Sequence, residues 1–201
     1  MKHEIILYGH GTTRSARCEW TLRELGLDYQ MVDAIDLVGS ERLRAIHPQS
    51  KIPAAAIDGH PLFESAALCT YFCDLAPEKD MIGKPGTRER ALHDQWSYFM
   101  YTEMEGWLWS NFKHMGFYPE EKRVPAVVEH NFAEFRGAAK VFDEVLAGTP
   151  FLIGGNFSVT DIIVGWTVNW ARRMDQLEDF PNLRSYIDRL FARELCTFNK
   201  E

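Results

Sequence analysis

Cysteine is scarce in this chain, and its spacing carries no recognisable pattern. Four cysteines stand among 201 residues, at 18, 69, 73 and 196, and no two form a C-x-x-C pair. That argues against a zinc ribbon and against a dithiol redox motif. Cys69 and Cys73 fall four apart on an expected helix and share its face. Both read as small buried hydrophobes, and a disulfide at that spacing would be strained. The histidines show neither H-x-x-x-H nor H-E-x-x-H spacing, so no metal site is expected. Long apolar runs are missing as well. Nothing approaches the roughly 20 residues of a membrane span, and the opening "MKHEIILYGHGTT" has neither the apolar core nor the cleavage site of a signal peptide. A cytoplasmic protein with no membrane partner is expected. Basic runs are short and isolated, as in "RERALH" and "ARRMD", and net charge is −7. Such a surface repels phosphate backbones, so no nucleic-acid partner is expected.

The chain does have ordinary globular composition, 46% hydrophobic and 25% charged, with no internal repeat or low-complexity segment. Ile5 to Tyr8 reads as a strand. Cys18, Leu22 and Leu25 recur at helical spacing before Gly26, a natural stop. "DYQMVDAID" alternates as a second strand, and "SERLRAIHP" as a short helix capped by Ser40 that ends before Pro48. "PAAAI" and "PLF" flank Asp58-Gly59, a strong hairpin signal. From Ser65 the pattern is helical again. The helical crossover makes the first two strands parallel, and the tight turn makes the last two antiparallel.

Pro77, Gly83, Pro85 and Gly86 then break the pattern. Beyond them four helices are expected and no strand. One is capped by Thr87 and runs to about Met115; one runs from about Glu120 to Ala147. A third begins in "FSVTDIIVGWTVNWA" and a fourth in "FPNLRSYIDRLFAR". The division is a domain at 1–76, a linker at 77–86 and an all-helical domain at 87–201.

Three stretches together resemble the cytosolic glutathione S-transferases: "TTRSARCEWTLRELGLDY", "HPQSKIPAAAIDGHPLFESAALCTYF" and "LIGGNFSVTDIIV". The likeness spans nearly the whole chain. It implies a thioredoxin-like α/β N-terminal domain and an all-α C-terminal domain. It also implies glutathione as co-substrate without a metal, a small hydrophobic electrophile as the other partner, and a homodimer. Within the middle stretch the resemblance implies a cis bond before Pro53. Ile52 would offer its N–H and C=O to the cysteinyl part of glutathione, like an added strand, and Lys51 would contact the tripeptide. Glu64 and Ser65 stand where a strand becomes a helix. The unpaired N–H groups there suit the γ-glutamyl carboxylate, with the Ser65 hydroxyl as an added donor and Glu64 facing the ligand's ammonium group. A bare N-cap is the plainer reading of Ser65.

Family members set a Tyr, Ser or Cys near the first helix against the glutathione sulfur. Here the serine position falls on Thr12, or on Thr13 by a one-residue shift, and the cysteine position on Arg14, followed by Ser15. The disulfide-exchanging mechanism of the cysteine-type class is therefore not expected. Thr12 is the first candidate to donate to a thiolate, then Thr13 and Ser15. Helix capping is the competing role for all three, and Tyr8 is a lesser candidate inside its strand. Arg14 and Arg17 either add positive potential near the sulfur or lie on a solvated helix face. Ser158 with Asp161 reads as a capping box that serves folding. Trp96, Phe99, Tyr101, Trp107, Trp109, Phe112, Trp166 and Trp170 cannot all be core, and some are expected to line a substrate cleft or a subunit contact. A transferase is the leading expectation. A non-catalytic interaction protein is the alternative, as is a glutathione-dependent isomerase, dehalogenase or peroxidase.

Overall fold

The computed structural model describes residues 2–198, so the last three residues of the expected helical domain, 199–201, lie outside the described residues. Strand β1 (Ile5–Gly9) leads through helix α1 (Ser15–Leu25) to β2 (Gln30–Asp33); a short helix α2 (Glu41–Arg44) precedes β3 (Ala54–Ile57), β4 (His60–Phe63) and α3 (Ser65–Leu75). The strand order is β2-β1-β3-β4. β1 runs parallel to β2 and antiparallel to β3, with Leu7 opposite both Met31 and Ala55. The β3–β4 turn is Asp58-Gly59, both at positive φ, 50° and 80°. That is the mirror-type turn whose twist matches a hairpin. Alternation in β1 sends Ile5 and Leu7 inward, where Cys18, Leu22, Leu68 and Phe72 of α1 and α3 close over them. This is the thioredoxin-like layer.

The second half is helical: α4 (Arg88–Met100), α5 (Gly106–Phe112), α6 (Ala126–Leu146), α7 (Val159–Arg172) and α8 (Pro181–Phe191). The Thr87 hydroxyl caps α4 by accepting from the Arg90 N–H at 3.3 Å. The single helix expected to about Met115 is continuous but contains two π-helical turns, Tyr101–Glu105 and Lys113–Phe117. Each widens the helix and shifts the phase of the residues beyond it. The helix expected from about Glu120 starts later, at Ala126, with Pro125 at its cap. The only pairing in this half, among the described residues, is an isolated bridge between Ile153 and Asn156. Helix α7 is buried on almost every face. α8 crosses it at Gly165, where an added Cβ would fall 2.2 Å from Leu190 Cδ1.

Asp161, fully buried, starts α7. Its Oδ1 accepts from the Leu152 N–H and the Tyr186 hydroxyl, both at 3.0 Å, and its Oδ2 from the Ser158 N–H at 2.9 Å and the Ser158 hydroxyl at 3.0 Å. Burial raises its carboxyl pKa to about 6 in spite of these donors. Removing the carboxylate orphans several buried donors at once. Asp161→Ala should therefore lose on the order of 3 kcal/mol, a fall in Tm of roughly 6–12 °C for a chain of this size. A calorimetric scan that returns the wild-type Tm would refute a folding role for the carboxylate.

Candidate glutathione and electrophile site

Strand register brings three loops to one edge of the sheet. Tyr8 pairs with Ala54, and Ala54 with Phe63. The C-terminal end of β1, the N-terminal end of β3 and the C-terminal end of β4 therefore coincide. From that edge emerge the 10–14 turn, the Ile52-Pro53 pair and the Glu64-Ser65 junction. The Ile52-Pro53 bond is cis. β3 begins only at Ala54, and neither the N–H nor the C=O of Ile52 has a main-chain partner among the described residues. Lys51 is exposed and its Nζ donates to Gln49 Oε1 at 2.7 Å.

Glu64 has φ 73° and ψ 115°, a conformation that non-glycine residues rarely adopt. It, not Ser65, is the residue preceding the helix, so the plainer reading of Ser65 as an N-cap is corrected. Ser65 is the first helical residue and is 3% exposed. Its hydroxyl turns inward, accepting from Arg17 Nη1 at 3.2 Å and lying 2.8 Å from the Tyr101 hydroxyl. What α3 presents outward is its first-turn N–H groups, which have no partner inside the helix.

The three candidate hydroxyls separate clearly. Thr13 Oγ1 donates to the His10 carbonyl at 2.7 Å, accepts from the Ser15 N–H at 3.3 Å and lies 2.9 Å from Ser15 Oγ. Ser15 Oγ also accepts from the His10 N–H at 3.2 Å. It is packed so closely under β1 that a Cβ on Gly9 would meet it at 2.7 Å. These two hydroxyls frame the turn. Thr12 is exposed, and its hydroxyl makes no hydrogen bond among the described residues, while its carbonyl accepts from Trp166 Nε1 at 3.2 Å. Tyr8 stays on its strand and does not line the cavity that Thr12 borders.

That cavity, about 220 Å³, lies between the two halves. Thr12, Thr13 and Arg14 form one wall; Trp109, Phe112, Trp166, Asn169, Trp170 and Arg173 form the other. Among the aromatics, then, Trp109 and Phe112 of α5 and Trp166 and Trp170 of α7 line the cleft, and Trp107 of α5 does not. Trp96 and Phe99 pack on Phe142 in the core, at ring separations of 5.1 and 5.6 Å.

Arg14 and Arg17 do not lie on a solvated face. Arg17 is wholly buried. Its Nε donates to the Ile163 carbonyl at 2.9 Å, its Nη1 to Ser65 and Tyr101, and its Nη2 to Glu105 at 2.5 Å and Thr167 at 2.6 Å. Arg14 Nε takes the other Glu105 oxygen at 2.5 Å. Burial alone would raise the Glu105 carboxyl pKa, but Arg17 and Arg14 outweigh it and bring the value down to about 2. Burial pushes the Tyr101 hydroxyl up to about 12, so it stays protonated. Glu105 and Tyr101 do not stand out from the sequence as a polar pair. The one available signal is a pair of acids, Glu103 and Glu105, amid the aromatics of a long helix.

Residues 8–80 match the glutathione S-transferase N-terminal domain family, and residues 125–189 the C-terminal domain family. The chain belongs to the glutathione S-transferases. It is similar to the disulfide-bond oxidoreductase YfcG of Escherichia coli K12, 29% identical, covering 94% of this chain and 91% of that one. To the glutathione S-transferase GstA of Escherichia coli O157:H7 it is 25% identical, with 86% of each chain covered. Among solved structures, the fold is shared with the bacterial transferase BphK in a ternary complex, at TM-score 0.84, 22% identity and 95% of both chains. It is shared too with URE2P6 of Phanerochaete chrysosporium in complex with oxidized glutathione, at TM-score 0.83, 21% identity, and 97% and 93% coverage. No helix among the described residues is long and apolar enough to cross a membrane, and no group of His, Cys, Asp and Glu there could hold a metal.

Because folding depresses the Glu105 pKa from 4.5 to about 2, its stabilising contribution is complete above pH 4.5 and is lost as pH falls toward 2. Asp161, raised from 3.8 to about 6, acts in the opposite sense and is protonated in both states below 3.8. Under pH 3.8 the Glu105 loss is therefore unopposed by it. Wild type should lose Tm across that lower window more steeply than Glu105→Gln, which begins with a lower Tm at neutral pH. Parallel Tm–pH curves for the two proteins would contradict the assignment.

Proposed function

We propose that the protein is a glutathione transferase that activates the glutathione thiol for attack on a small hydrophobic electrophile. The observation that carries this reading is the Thr12 hydroxyl. It borders an aromatic cavity, at the sheet edge where Ile52-Pro53 and Glu64-Ser65 also emerge, and no group among the described residues bonds to it. In this reading Ile52 pairs with the cysteinyl backbone and Lys51 contacts the tripeptide. The α3 N-terminus holds the γ-glutamyl carboxylate and Glu64 the ammonium group. Pro53, by its cis bond, turns the Ile52 backbone toward the ligand. Thr12 donates its hydroxyl hydrogen to the sulfur, which lowers the thiol pKa from its free value of about 8.5. The thiol proton leaves to solvent. The thiolate then forms the S–C bond, and the leaving group departs with its electron pair. The hydrophobic electrophile sits against Trp109, Trp166 and Trp170. We divide the chain into a glutathione-binding domain at 1–76, a linker at 77–86 and a helical domain at 87–201, and read the protein as a cytoplasmic homodimer.

A second reading is glutathione-dependent disulfide reduction, favoured by similarity to a protein named as a disulfide-bond oxidoreductase. Cys18, Cys69 and Cys73 are buried, and no cysteine among the described residues lines the cavity. In that reaction the bound thiolate itself attacks the disulfide, and a second glutathione releases the product. Rates with chlorodinitrobenzene and with hydroxyethyl disulfide, each with glutathione, separate the two.

Thr12→Ala should lower kcat by roughly 10–100-fold for either reaction while the KM for glutathione stays within about twofold. Thr12→Ser should restore most of the rate. If Thr12→Ala turns over like wild type, Thr12 is not the thiolate donor. Glutathione at about 100 times its Kd should raise stability by about 2.7 kcal/mol in a thermal-shift titration. The absence of any shift would favour an interaction protein that does not bind glutathione.

A further inference from the structure

The cavity is aromatic but not neutral. The Arg14 guanidinium sits within 5.1–5.4 Å of the ring centres of Trp109, Trp166 and Trp170, in a cage of three indoles. Only its Nε is bonded, to Glu105. The terminal N–H groups make no hydrogen bond among the described residues, and the side chain keeps 28% of its surface exposed while Glu105 behind it keeps 5%. The acid is thus shielded from the cavity and the base is not. Arg173, at the end of α7, lines the same cavity, and its guanidinium has no side-chain partner among the described residues. No Asp or Glu among the described residues lines the space. Glu105 is shared by Arg14 and Arg17, so this cluster carries one uncompensated positive charge even before Arg173 is counted.

Resting on the transferase reading, we propose that the electrophile this site selects is a planar aromatic compound bearing a carboxylate. Its ring stacks among Trp109, Trp166 and Trp170, and its anionic group is held by the terminal N–H groups of Arg14 and by Arg173. The volume, about 220 Å³, accommodates one or two fused rings. A guanidinium seated among indoles keeps its N–H edge directed at the ligand, and its fork matches a carboxylate. A neutral aromatic would still find the rings but would leave the terminal N–H groups of Arg14 and the Arg173 guanidinium without an anion. An anion gains where a neutral compound does not.

The test uses two substrates with the same leaving group and ring, chlorodinitrobenzoate and its neutral isostere chlorodinitrobenzamide, with glutathione. Attack forms the S–C bond and expels chloride in both. Each kcat/KM is divided by the uncatalysed rate of the same substrate. The carboxylate should be favoured by about tenfold at low ionic strength, and this preference should shrink at about 0.5 M salt, where surface charges are screened within about 4–5 Å. Arg173→Glu, an exposed position that leaves the buried cluster intact, should cut the ratio by at least about tenfold. Arg14→Lys keeps the charge but not the fork, and should lower the ratio by less. Equal normalised rates in wild type, or a ratio unmoved by Arg173→Glu, would overturn the proposal. If neither substrate is turned over, the transferase reading fails, but the charge preference remains measurable. Calorimetric titration with naphthoate against naphthamide should then still show tighter binding of the anion in wild type and its loss in Arg173→Glu. Equal affinities would overturn the proposal independently of catalysis.

Discussion

One buried ion pair holds the two halves of this protein in register. Arg17 carries a full charge into an interior with no access to water, and such a charge is tolerated only when it is paired and its donors are all used. The structure meets that demand from three other elements. α7 supplies the Ile163 carbonyl and Thr167, α3 supplies Ser65, and the π turn after α4 supplies Tyr101 and Glu105. α1 supplies the arginine itself. No single helix could satisfy it alone, so the relative placement of the sheet domain and the helical domain is fixed by polar geometry as well as by apolar burial.

The same cluster joins the two proposed ligand regions. Ser65 opens α3, beside the proposed γ-glutamyl site, and is bonded directly to Arg17. Arg14 lines the aromatic cavity and is bonded to the same carboxylate that pairs Arg17. Glu105 therefore touches the cavity-lining Arg14 directly and reaches Ser65 through Arg17. A charged ligand at either place would act on a network in which one acid serves two cations.

Much of this fold was legible because its punctuation is local. Asp58-Gly59 demands a positive φ at both positions, Thr87 caps the helix directly after it, and Ser158 with Asp161 closes a box within one turn. Each signal needs only a few neighbouring residues. The cluster at Arg17 was not legible because its partners are 88 and 150 residues away in the chain. An arginine on an amphipathic helix reads as solvated when nothing nearby neutralises it. The π turns hid the rest. A period of 3.6 residues carried through Tyr101–Glu105 assigns the wrong faces beyond it, so the sequence could place an aromatic-rich helix but could not sort cavity from core along it. At the shared sheet edge, the Ile52-Pro53 pair, the hairpin and the strand-to-helix junction were readable in order, yet the inward turn of the Ser65 hydroxyl depends on Tyr101 and could not be.

The turn at residues 10–15 shows why three adjacent hydroxyls are not three equivalent candidates. A hydroxyl that is to meet a ligand must be free of protein partners but held in a fixed direction. Thr13 and Ser15 are bonded to each other and to the two backbone groups of His10, so they satisfy the turn internally. Gly9 admits Ser15 against the strand because it has no side chain to displace it. Trp166 then fixes the Thr12 carbonyl from the far side of the cavity, and the Thr13 N–H of the same peptide unit donates to the His10 carbonyl. That peptide unit is thereby pinned at both ends while the Thr12 side chain remains unbonded. Two hydroxyls are consumed in building the frame, and the third stays unbonded among the described residues. The γ-methyl of Thr12 narrows χ1 further, so a threonine at this position can be directed without any hydrogen bond of its own.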